Sequence, residues 1–452
     1  MGCGASSGAK GEGETAPSTP EQSLPATLDE VDAQFVTSAL RREGYIQANT
    51  RIVSLEKIKF GREKGYLGDK CLVKDVVYEP LPAAGPEAPA SVFVKMFPTD
   101  LVIPAASCVT MWHMEVNFVT RMLKDLPDAK DFRVPRFYFT EFRESEAKEG
   151  GSEPPRFVIL MEHISNAKPF DILTAMPLEH ALCTAKDLAI LHAPYWGWTH
   201  ARYREETDQS GRKRFEGCGH IEDAGKKQSI QGLFGMGAKM GLEVFGPESG
   251  ALSAEQLENF AGYVEFWRFW AEDVWPLLQK RWGALFARWS SMPTTLIHGD
   301  LHVENMFCLA DGTNCYIDFQ AVNLGPGVRD LAWLLASSLT SKDRRDHERT
   351  IVNVYHDALL ARGVSSAEYS SEQCWADFVF MKLHGLYAGV LGAGLFAGKN
   401  FQAKAGIFAA EPSADAVLER ERNSALFTRV VDDLRHSKWA GMLGSMAEDA
   451  ET

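Results

Sequence analysis

Two acids and an amide lie close together in the sequence, at a spacing that suits metal-assisted phosphoryl transfer. Asp300 follows an apolar run in the motif HGD, Asn305 comes five residues later, and Asp318 ends a second apolar run, YIDF. In kinases, a loop aspartate accepts the proton of the substrate hydroxyl, an asparagine five residues on holds Mg²⁺, and the aspartate of a later turn links metal and phosphates. We therefore predict that Asp300 is the catalytic base and that Asn305 and Asp318 bind magnesium.

Each part of this pattern alone has an ordinary explanation, because Asp, Asn and Gly are common in turns, where they hydrogen-bond the local backbone. The whole pattern is harder to explain in that way. It combines HxDxxxxN between apolar flanks with an Asp-Phe pair thirteen residues after the asparagine. We expect His298 of the same motif to hold the loop by hydrogen bonding.

A lysine and a glutamate upstream form a second candidate pair. Lys95 lies within the apolar run SVFVKMF, which predicts a strand, although a strand lysine can also extend its charged end to solvent. The next predicted helix, residues 108–123, places Glu115 at the border of its apolar stripe, where an acid is costly unless it is paired. We expect a Lys95–Glu115 ion pair that positions nucleotide phosphates, with two unrelated solvated charges as the alternative.

Two further segments are candidates for nucleotide contacts. A predicted hairpin holds Gly61, Gly65 and Gly68 in its connection; such glycines let backbone N–H groups approach phosphates, but any hairpin can use them. The predicted strand RFVILMEHI ends at a point where kinase-like folds offer backbone groups to adenine. Glu162 and Ile164 are candidates there by position only.

Length and composition favour a two-lobed protein without a nucleic-acid partner. With 452 residues, 45% hydrophobic and 24% charged, the chain exceeds the size at which single cores stop growing. We predict a disordered leader (1–26), an N-lobe (27–164), a C-lobe (165–440) and a tail (441–452). The net charge of −14 disfavours binding to nucleic acid, which depends on Lys and Arg.

The expected location is the cytoplasm, either free or anchored to a membrane by N-terminal acyl groups. Eight cysteines without paired spacing favour a reducing compartment. The N-terminal MGCGASS offers Gly2 for myristoylation and Cys3 for palmitoylation. One myristoyl chain binds membrane only marginally, with an association constant of about 10⁴ M⁻¹, so the second acyl group would decide anchoring to the cytoplasmic face. A Gly/Ser-rich leader that starts this way by chance is the alternative.

The sequence also makes predictions about packing around these residues. Thr27 and Glu30 suggest a capping box for a first helix that ends at Gly44. His192 is expected in the core, as are the tryptophans between residues 267 and 289. The mixed-charge segment 201–216 reads as a mobile surface loop.

Several segments, in this order, resemble the aminoglycoside phosphotransferase and choline kinase-like superfamily, and most of all its ecdysteroid kinase-like branch. They are VFVKMF, the inward Glu115, VILMEHI, LAILHAPYWG, LIHGDLHVENMF and YIDFQAVNLGPGVRDLAWLLASS, with DFQ in place of DFG as the most specific sign. The resemblance covers about residues 28–395. It implies an α+β, protein-kinase-like two-lobed fold, with a small antiparallel-sheet N-lobe and a larger, mainly helical C-lobe. The degenerate glycine loop departs from the family pattern.

The resemblance implies an ATP- and Mg²⁺-dependent transfer of the γ-phosphoryl group to the hydroxyl of a small molecule. Asp330 comes only twelve residues after Asp318, an interval too short for the activation segment of a protein kinase, and Asp330 is expected to brace the catalytic loop. Aromatic segments favour a bulky, partly apolar alcohol, such as a sterol or amino-alcohol, over a polycationic sugar. The alternative is a membrane-anchored, catalytically weak nucleotide-binding scaffold, although none of the residues that such pseudokinases usually lack is missing.

Overall fold

The fold is seen in a computed structural model of the chain. The structure describes residues 23–60, 68–82, 88–98, 105–144, 147–148, 151–152, 155–165, 167–246, 249–397 and 412–449. The predicted acylation site at Gly2 and Cys3 lies outside these residues, as do Gly61 and Gly65. No helix in these ranges is long and apolar enough to cross a bilayer.

A five-stranded antiparallel sheet forms the N-terminal lobe. Its strands are β1 (Arg51–Phe60), β2 (Asp69–Glu79), β3 (Val92–Met96), β4 (Phe137–Arg143) and β5 (Arg156–Glu162), in the spatial order β1-β2-β3-β5-β4. Helix α1 (Ala33–Arg42) packs on one face and α2 (Ala105–Asn117) on the other.

Alternation along β3 explains which way Lys95 points. Val94 and Met96 belong to the core under α1, whereas Phe93 packs with the core under α2. Because successive strand residues face opposite sides, Lys95 lies on the α2 face, toward Glu115.

The C-terminal lobe is mainly helical and is built around one large apolar core. Its helices are α3 (Leu178–His192), α4 (His200–Glu205), α5 (Lys226–Phe245), α6 (Ala254–Glu258), α7 (Ala261–Phe269), α8 (Trp275–Leu278), α9 (Trp282–Ser290), α10 (Val328–Ser338), α11 (Ser341–Ala361), α12 (Ser371–Met381), α13 (Leu383–Ala397), α14 (Ala414–His436) and α15 (Trp439–Gly444). Trp267 and Trp270 are fully buried in this core, as predicted. The α+β two-lobed fold expected from the sequence is therefore confirmed.

Short antiparallel strands carry the polar loops of the C-terminal lobe. They are β6 (Lys168–Pro169), β7 (Thr294–Ile297), β8 (Met306–Cys308), β9 (Asn314–Tyr316) and β10 (Asn323–Pro326). One sheet has the order β9-β8-β6, and β10 pairs with β7. The HGD motif follows β7 and Asp318 follows β9, and His298 Nε2 lies 3.0 Å from the Ile317 carbonyl oxygen, so the segments that carry the two acids are in contact.

The capping prediction for the first helix is wrong. Thr27 precedes a separate 3₁₀ turn (Leu28–Glu30), and its side chain makes no capping hydrogen bond. Helix α1 begins after Asp32, whose carboxylate accepts a hydrogen bond from the Phe35 N–H at 2.8 Å. The predicted end is close, because Gly44 adopts φ +78° two residues beyond the helix.

Three chain segments are packed where the sequence suggested loops or tails. Tyr203 and Phe215 of the 201–216 segment are buried, so the described segment is not a loose surface loop. Leu24 is buried although it falls within the predicted leader. Leu443 is also buried, and the Asp449 carboxylate accepts a hydrogen bond from the Gly283 N–H at 2.9 Å, so C-lobe packing continues past residue 440.

Candidate active site

A buried aspartate holds the HGD turn in place. Asp330, at the start of α10, accepts hydrogen bonds from the backbone N–H groups of His298 (2.6 Å) and Gly299 (2.9 Å). Gly299 has φ +84°, and a Cβ there would lie 2.0 Å from the Ala321 carbonyl oxygen. Glycine is required for both reasons, since other residues rarely adopt this conformation. The geometry matches the brace predicted for Asp330.

Two histidines support this turn from inside the protein. The Nε2 atom of His298 lies 3.0 Å from the Ile317 carbonyl oxygen, which ties the HGD turn to the residue before Asp318. His192 is fully buried, with Nε2 3.3 Å from an Asp330 carboxylate oxygen and Nδ1 2.9 Å from the Tyr355 hydroxyl. Both histidines therefore have structural contacts, as the sequence suggested.

Asp300 ends the HGD turn with 37% of its side chain exposed. One carboxylate oxygen accepts a hydrogen bond from Trp333 Nε1 at 3.1 Å. Burial raises the pKa of Asp300 to about 7; the charge of Asp318 also raises this pKa, whereas the charge of His298 and the Trp333 hydrogen bond lower it. A carboxylate with a pKa near neutrality is well suited to act as a general base.

Asn305 and Asp318 present oxygen atoms that suit a hard cation. The Asn305 amide nitrogen donates to the Asp300 backbone carbonyl at 2.9 Å, so the amide oxygen is not used in this hydrogen bond. Asp318, at φ +65°, turns the chain after β9, and 23% of its side chain is exposed. One amide and one carboxylate, completed by phosphates and water, form a common Mg²⁺ site. The residues present therefore fit this metal.

The predicted ion pair is present and extends to the second lobe. Lys95 Nζ lies 2.7 Å from a Glu115 carboxylate oxygen and 2.9 Å from one of Asp318. Lys95 and Glu115 are almost completely buried. Burial alone would lower the pKa of Lys95, but the two carboxylates hold it above its ordinary value. The lysine therefore stays protonated.

Two residues near this cluster were not found from the sequence. Lys70 on β2 stands opposite Lys95 in register, so both side chains lie on the same face of the sheet. Burial and the charge of Lys95 lower the pKa of Lys70 to about 8. The other is Trp333, the partner of Asp300. It lies one helical turn after Asp330, and this i, i+3 spacing was a usable signal.

The other residues predicted to contact nucleotide, Gly68, Glu162 and Ile164, have local packing or hydrogen-bond contacts within the N-terminal lobe. Gly68 packs against the neighbouring strand, where an added Cβ would lie 3.1 Å from the Met96 carbonyl oxygen. Glu162 ends β5, and its backbone N–H already donates to the Arg136 carbonyl at 2.7 Å. Its carboxylate binds Arg133 at 2.9 Å. Ile164 follows the strand and is partly buried.

Three solved structures are similar to this chain over most of its length, at low identity. An ethanolamine kinase from Plasmodium vivax is 12% identical, with a TM-score of 0.43, over 85% of this chain and 82% of that one. A choline kinase from Cryptosporidium parvum is 11% identical, with a TM-score of 0.45, over 91% and 98%. The choline kinase LicA from Streptococcus pneumoniae is 14% identical, with a TM-score of 0.41, over 89% and 98%. At this distance none of them transfers an activity to this chain.

Sequence comparison identifies the family. No curated protein matches the chain at a significant level. The model of the ecdysteroid kinase-like family matches residues 90–364, more than half of the chain. This range contains Lys95, Glu115, Asp300, Asn305 and Asp318. The chain belongs to the ecdysteroid kinase-like family.

Proposed function

We propose that this protein is an ATP-dependent phosphotransferase that moves the γ-phosphoryl group to the hydroxyl of a small molecule. The observation that carries the proposal is the contact between Lys95 and Asp318, which are 223 residues apart and belong to different lobes. The contact supports the proposal because it joins the lysine proposed to bind phosphate to the carboxylate proposed to bind metal. The charge of that carboxylate also acts on Asp300, the proposed base. Transfer of phosphoryl groups needs little beyond such positioning and charge neutralisation.

In the proposed reaction, Asp300 orients the acceptor hydroxyl and takes its proton. The acceptor oxygen forms a bond to the γ-phosphorus, the bond from that phosphorus to the β,γ-bridging oxygen breaks, and ADP leaves. Lys95, held by Glu115, contacts the phosphates. Magnesium, when bound by Asn305 and Asp318, would neutralise charge on the phosphates. General-base action of this kind typically contributes about 10²–10⁴-fold.

Single-turnover transfer from [γ-³²P]ATP tests this proposal. Wild type, Asp300→Asn and the control Asp346→Asn are each incubated with a cell metabolite extract. Asp346 is a suitable control because it lies on the exposed surface of α11, paired with Lys342. We expect labelled product with wild type and the control, and a loss of at least 100-fold with Asp300→Asn. Equal, negligible transfer by all three, with ATP binding retained, would favour the nucleotide-binding scaffold instead.

The acylation of Gly2 and Cys3 remains a separate proposal about location. It rests only on the N-terminal residues MGCGASS. Metabolic labelling with myristate and palmitate analogues, using Gly2→Ala and Cys3→Ser variants, distinguishes an anchored protein from one that is free in the cytoplasm. Absence of both labels would refute the anchor and leave the catalytic proposal unaffected.

A further inference from the structure

Two cations beside β10 have no ion pair with a carboxylate among the residues that the structure describes. Arg329, the residue before the brace Asp330, makes one long hydrogen bond, from Nη2 to the Gly299 carbonyl at 3.5 Å. Its Nε atom is buried and has no hydrogen-bond partner. For Lys226, at the start of α5, no side-chain hydrogen bond or ion pair is found in the part of the chain that the structure describes. Both side chains are only partly buried, so they face accessible space.

These two cations lie along the same strand, next to the catalytic turn. A Cβ on Gly325 of β10 would lie 4.0 Å from Arg329 Nη1. A Cβ on Gly219 would lie 2.9 Å from Lys226 Nζ, and the Gly219 carbonyl accepts a hydrogen bond from the Leu324 N–H, also of β10, at 3.1 Å. Since Gly299 immediately precedes Asp300, Arg329 borders the place where the acceptor hydroxyl would lie, and Lys226 is close enough to Arg329 for the two charges to interact.

Among the described residues, the cations that are almost completely buried are each paired with a carboxylate, namely Lys95, Arg281, Arg344 and Lys382. Arg329 and Lys226, which are partly buried, have no such pair. Lys382, for example, lies 2.8 Å from a Glu348 carboxylate oxygen and 2.6 Å from one of Asp433. A cation withdrawn from water without a counter-charge is costly. Burial lowers the pKa of both Arg329 and Lys226, and the charge of Arg329 lowers the pKa of Lys226 further. The charges of Asp330 and Asp300 on Arg329, and of Asp223 on Lys226, oppose these shifts without reversing them. An anion held between the two side chains would remove this cost.

The wall beside Asp300 is aromatic. Trp333, which bonds Asp300, meets the His384 ring edge-on at 5.7 Å between centroids, and His384 stacks on Tyr387 at 6.0 Å. Among the residues described here, Asp300 and Asp330 are the carboxylates whose charges act on Arg329. Asp300 is the proposed base, and Asp330 already accepts hydrogen bonds from two backbone N–H groups. Of these two carboxylates only Asp300 is partly exposed, and the proposed reaction uses it for the acceptor hydroxyl.

We infer that the acceptor carries an acidic group, such as a carboxylate, sulfate or phosphate, which Lys226 and Arg329 bind while its hydroxyl faces Asp300. This inference rests on the proposed phosphotransferase function. The acceptor then has an apolar body against Trp333 and Tyr387 and an anionic end at the two cations. This inference weighs against an amino-alcohol acceptor, which was one of the classes suggested by the sequence.

The experiment separates the acceptor's charge from the activity itself. A metabolite extract is divided by ion exchange at neutral pH into acidic, neutral and basic fractions, and each is incubated with wild-type protein and [γ-³²P]ATP. We expect enzyme-dependent label in products from the acidic fraction. Label confined to the neutral or basic fraction overturns the inference and leaves the phosphotransferase standing. No label in any fraction refutes the proposed function, and with it the inference.

Variants identify the responsible residues. Lys226→Met should raise the KM for the acceptors of the acidic fraction by about 10- to 100-fold, as expected for a lost charge-assisted hydrogen bond. The KM for ATP should not change. Lys227→Met is the matched control, because Lys227 is the next residue in the chain and its Nζ atom lies 3.8 Å from a carboxylate oxygen of the exposed Glu222. Arg329→Lys should retain more affinity than Arg329→Met. An unchanged acceptor KM in Lys226→Met and Arg329→Met would overturn the assignment.

Discussion

Replacing Asp330 by asparagine should cost both stability and rate, because one carboxylate holds two backbone N–H groups of the catalytic turn. Its oxygens accept from His298 at 2.6 Å and Gly299 at 2.9 Å, and the side chain is 1% exposed. A hydrogen bond to a charged group is worth about 1.5–3 kcal/mol, and orphaning a buried donor costs about 1–3 kcal/mol. Asparagine keeps one acceptor and turns an amide N–H toward the other donor. We therefore expect a loss of about 3–5 kcal/mol in the free energy of unfolding.

The same change should lower kcat more than it affects ATP binding. The turn it loosens carries Asp300, and a displacement of about 1 Å at a reacting group can cost 10²-fold in rate. Lys95 and Glu115 do not touch this turn, so the KM for ATP should stay close to the wild-type value. The assays are urea unfolding followed by tryptophan fluorescence and steady-state kinetics, with Asp346→Asn as the control. Wild-type stability in Asp330→Asn would refute the brace, and reduced stability with an unchanged kcat would refute its role in positioning Asp300.

The pH dependence of the stability deficit gives an independent check. Burial would raise the pKa of Asp330, but the hydrogen bond and charge of His192, with other donors, bring it below the ordinary value of 3.8. A lowered pKa in the folded state means that the ionised carboxylate stabilises the fold above the unfolded-state pKa. That contribution is lost as the pH falls through the folded-state pKa. The difference between wild type and Asp330→Asn should therefore be constant from pH 8 to about pH 5 and shrink below about pH 4.

Three further predictions concern the metal, the turn and a cysteine. Removal of Mg²⁺ by a chelator should abolish transfer and its restoration should recover it, which rapid quench with [γ-³²P]ATP measures; full activity without divalent metal would contradict the assigned ligands. Gly299→Ala should lose about 2 kcal/mol or more in unfolding free energy and most of its activity, because the new Cβ would overlap the Ala321 carbonyl. Cys308 Sγ lies 3.0 Å from His180 Nε2, whereas burial and a nearby carboxylate raise the pKa of Cys183 to about 11. Because the thiolate is the reactive form, iodoacetamide should modify Cys308 at least about tenfold faster than Cys183, as measured by peptide mass spectrometry. His180→Ala should remove this difference in rate.

The sequence could suggest that Asp300, Asn305 and Asp318 act together because its information there is local. The three residues lie within nineteen residues, and His298 Nε2 contacts the Ile317 carbonyl oxygen, which joins the segments that carry them. Glu115 was predictable from helical periodicity, since an acid at the edge of an apolar stripe needs a partner. Trp333 could have been found by the same reasoning, because it shares a helix face with Asp330.

Other features depend on contacts that no local pattern reports. Lys70 stands opposite Lys95 only because β2 and β3 pair in one particular register, and the glycine-rich connection allows several. Lys226 reaches the cleft from the start of a helix that lies about seventy residues before HGD in the chain. The first helix was mispredicted for a different reason: Thr27 and Asp32 both precede apolar residues, and tertiary packing selected the second as the cap.

The short interval between Asp318 and Asp330 has a consequence beyond the loss of a protein-binding platform. It brings the first turns of α10 directly against the HGD turn. Asp330 accepts hydrogen bonds from backbone N–H groups of the turn, Arg329 donates to the Gly299 carbonyl, and Trp333 donates to the Asp300 carboxylate. In a protein kinase, the activation segment separates these tasks from substrate recognition. Under the proposed function, one helix both braces the base and borders the acceptor. Changes in acceptor preference should therefore arise at the partly buried Arg329, whereas changes at the buried Asp330 should abolish activity toward every acceptor alike.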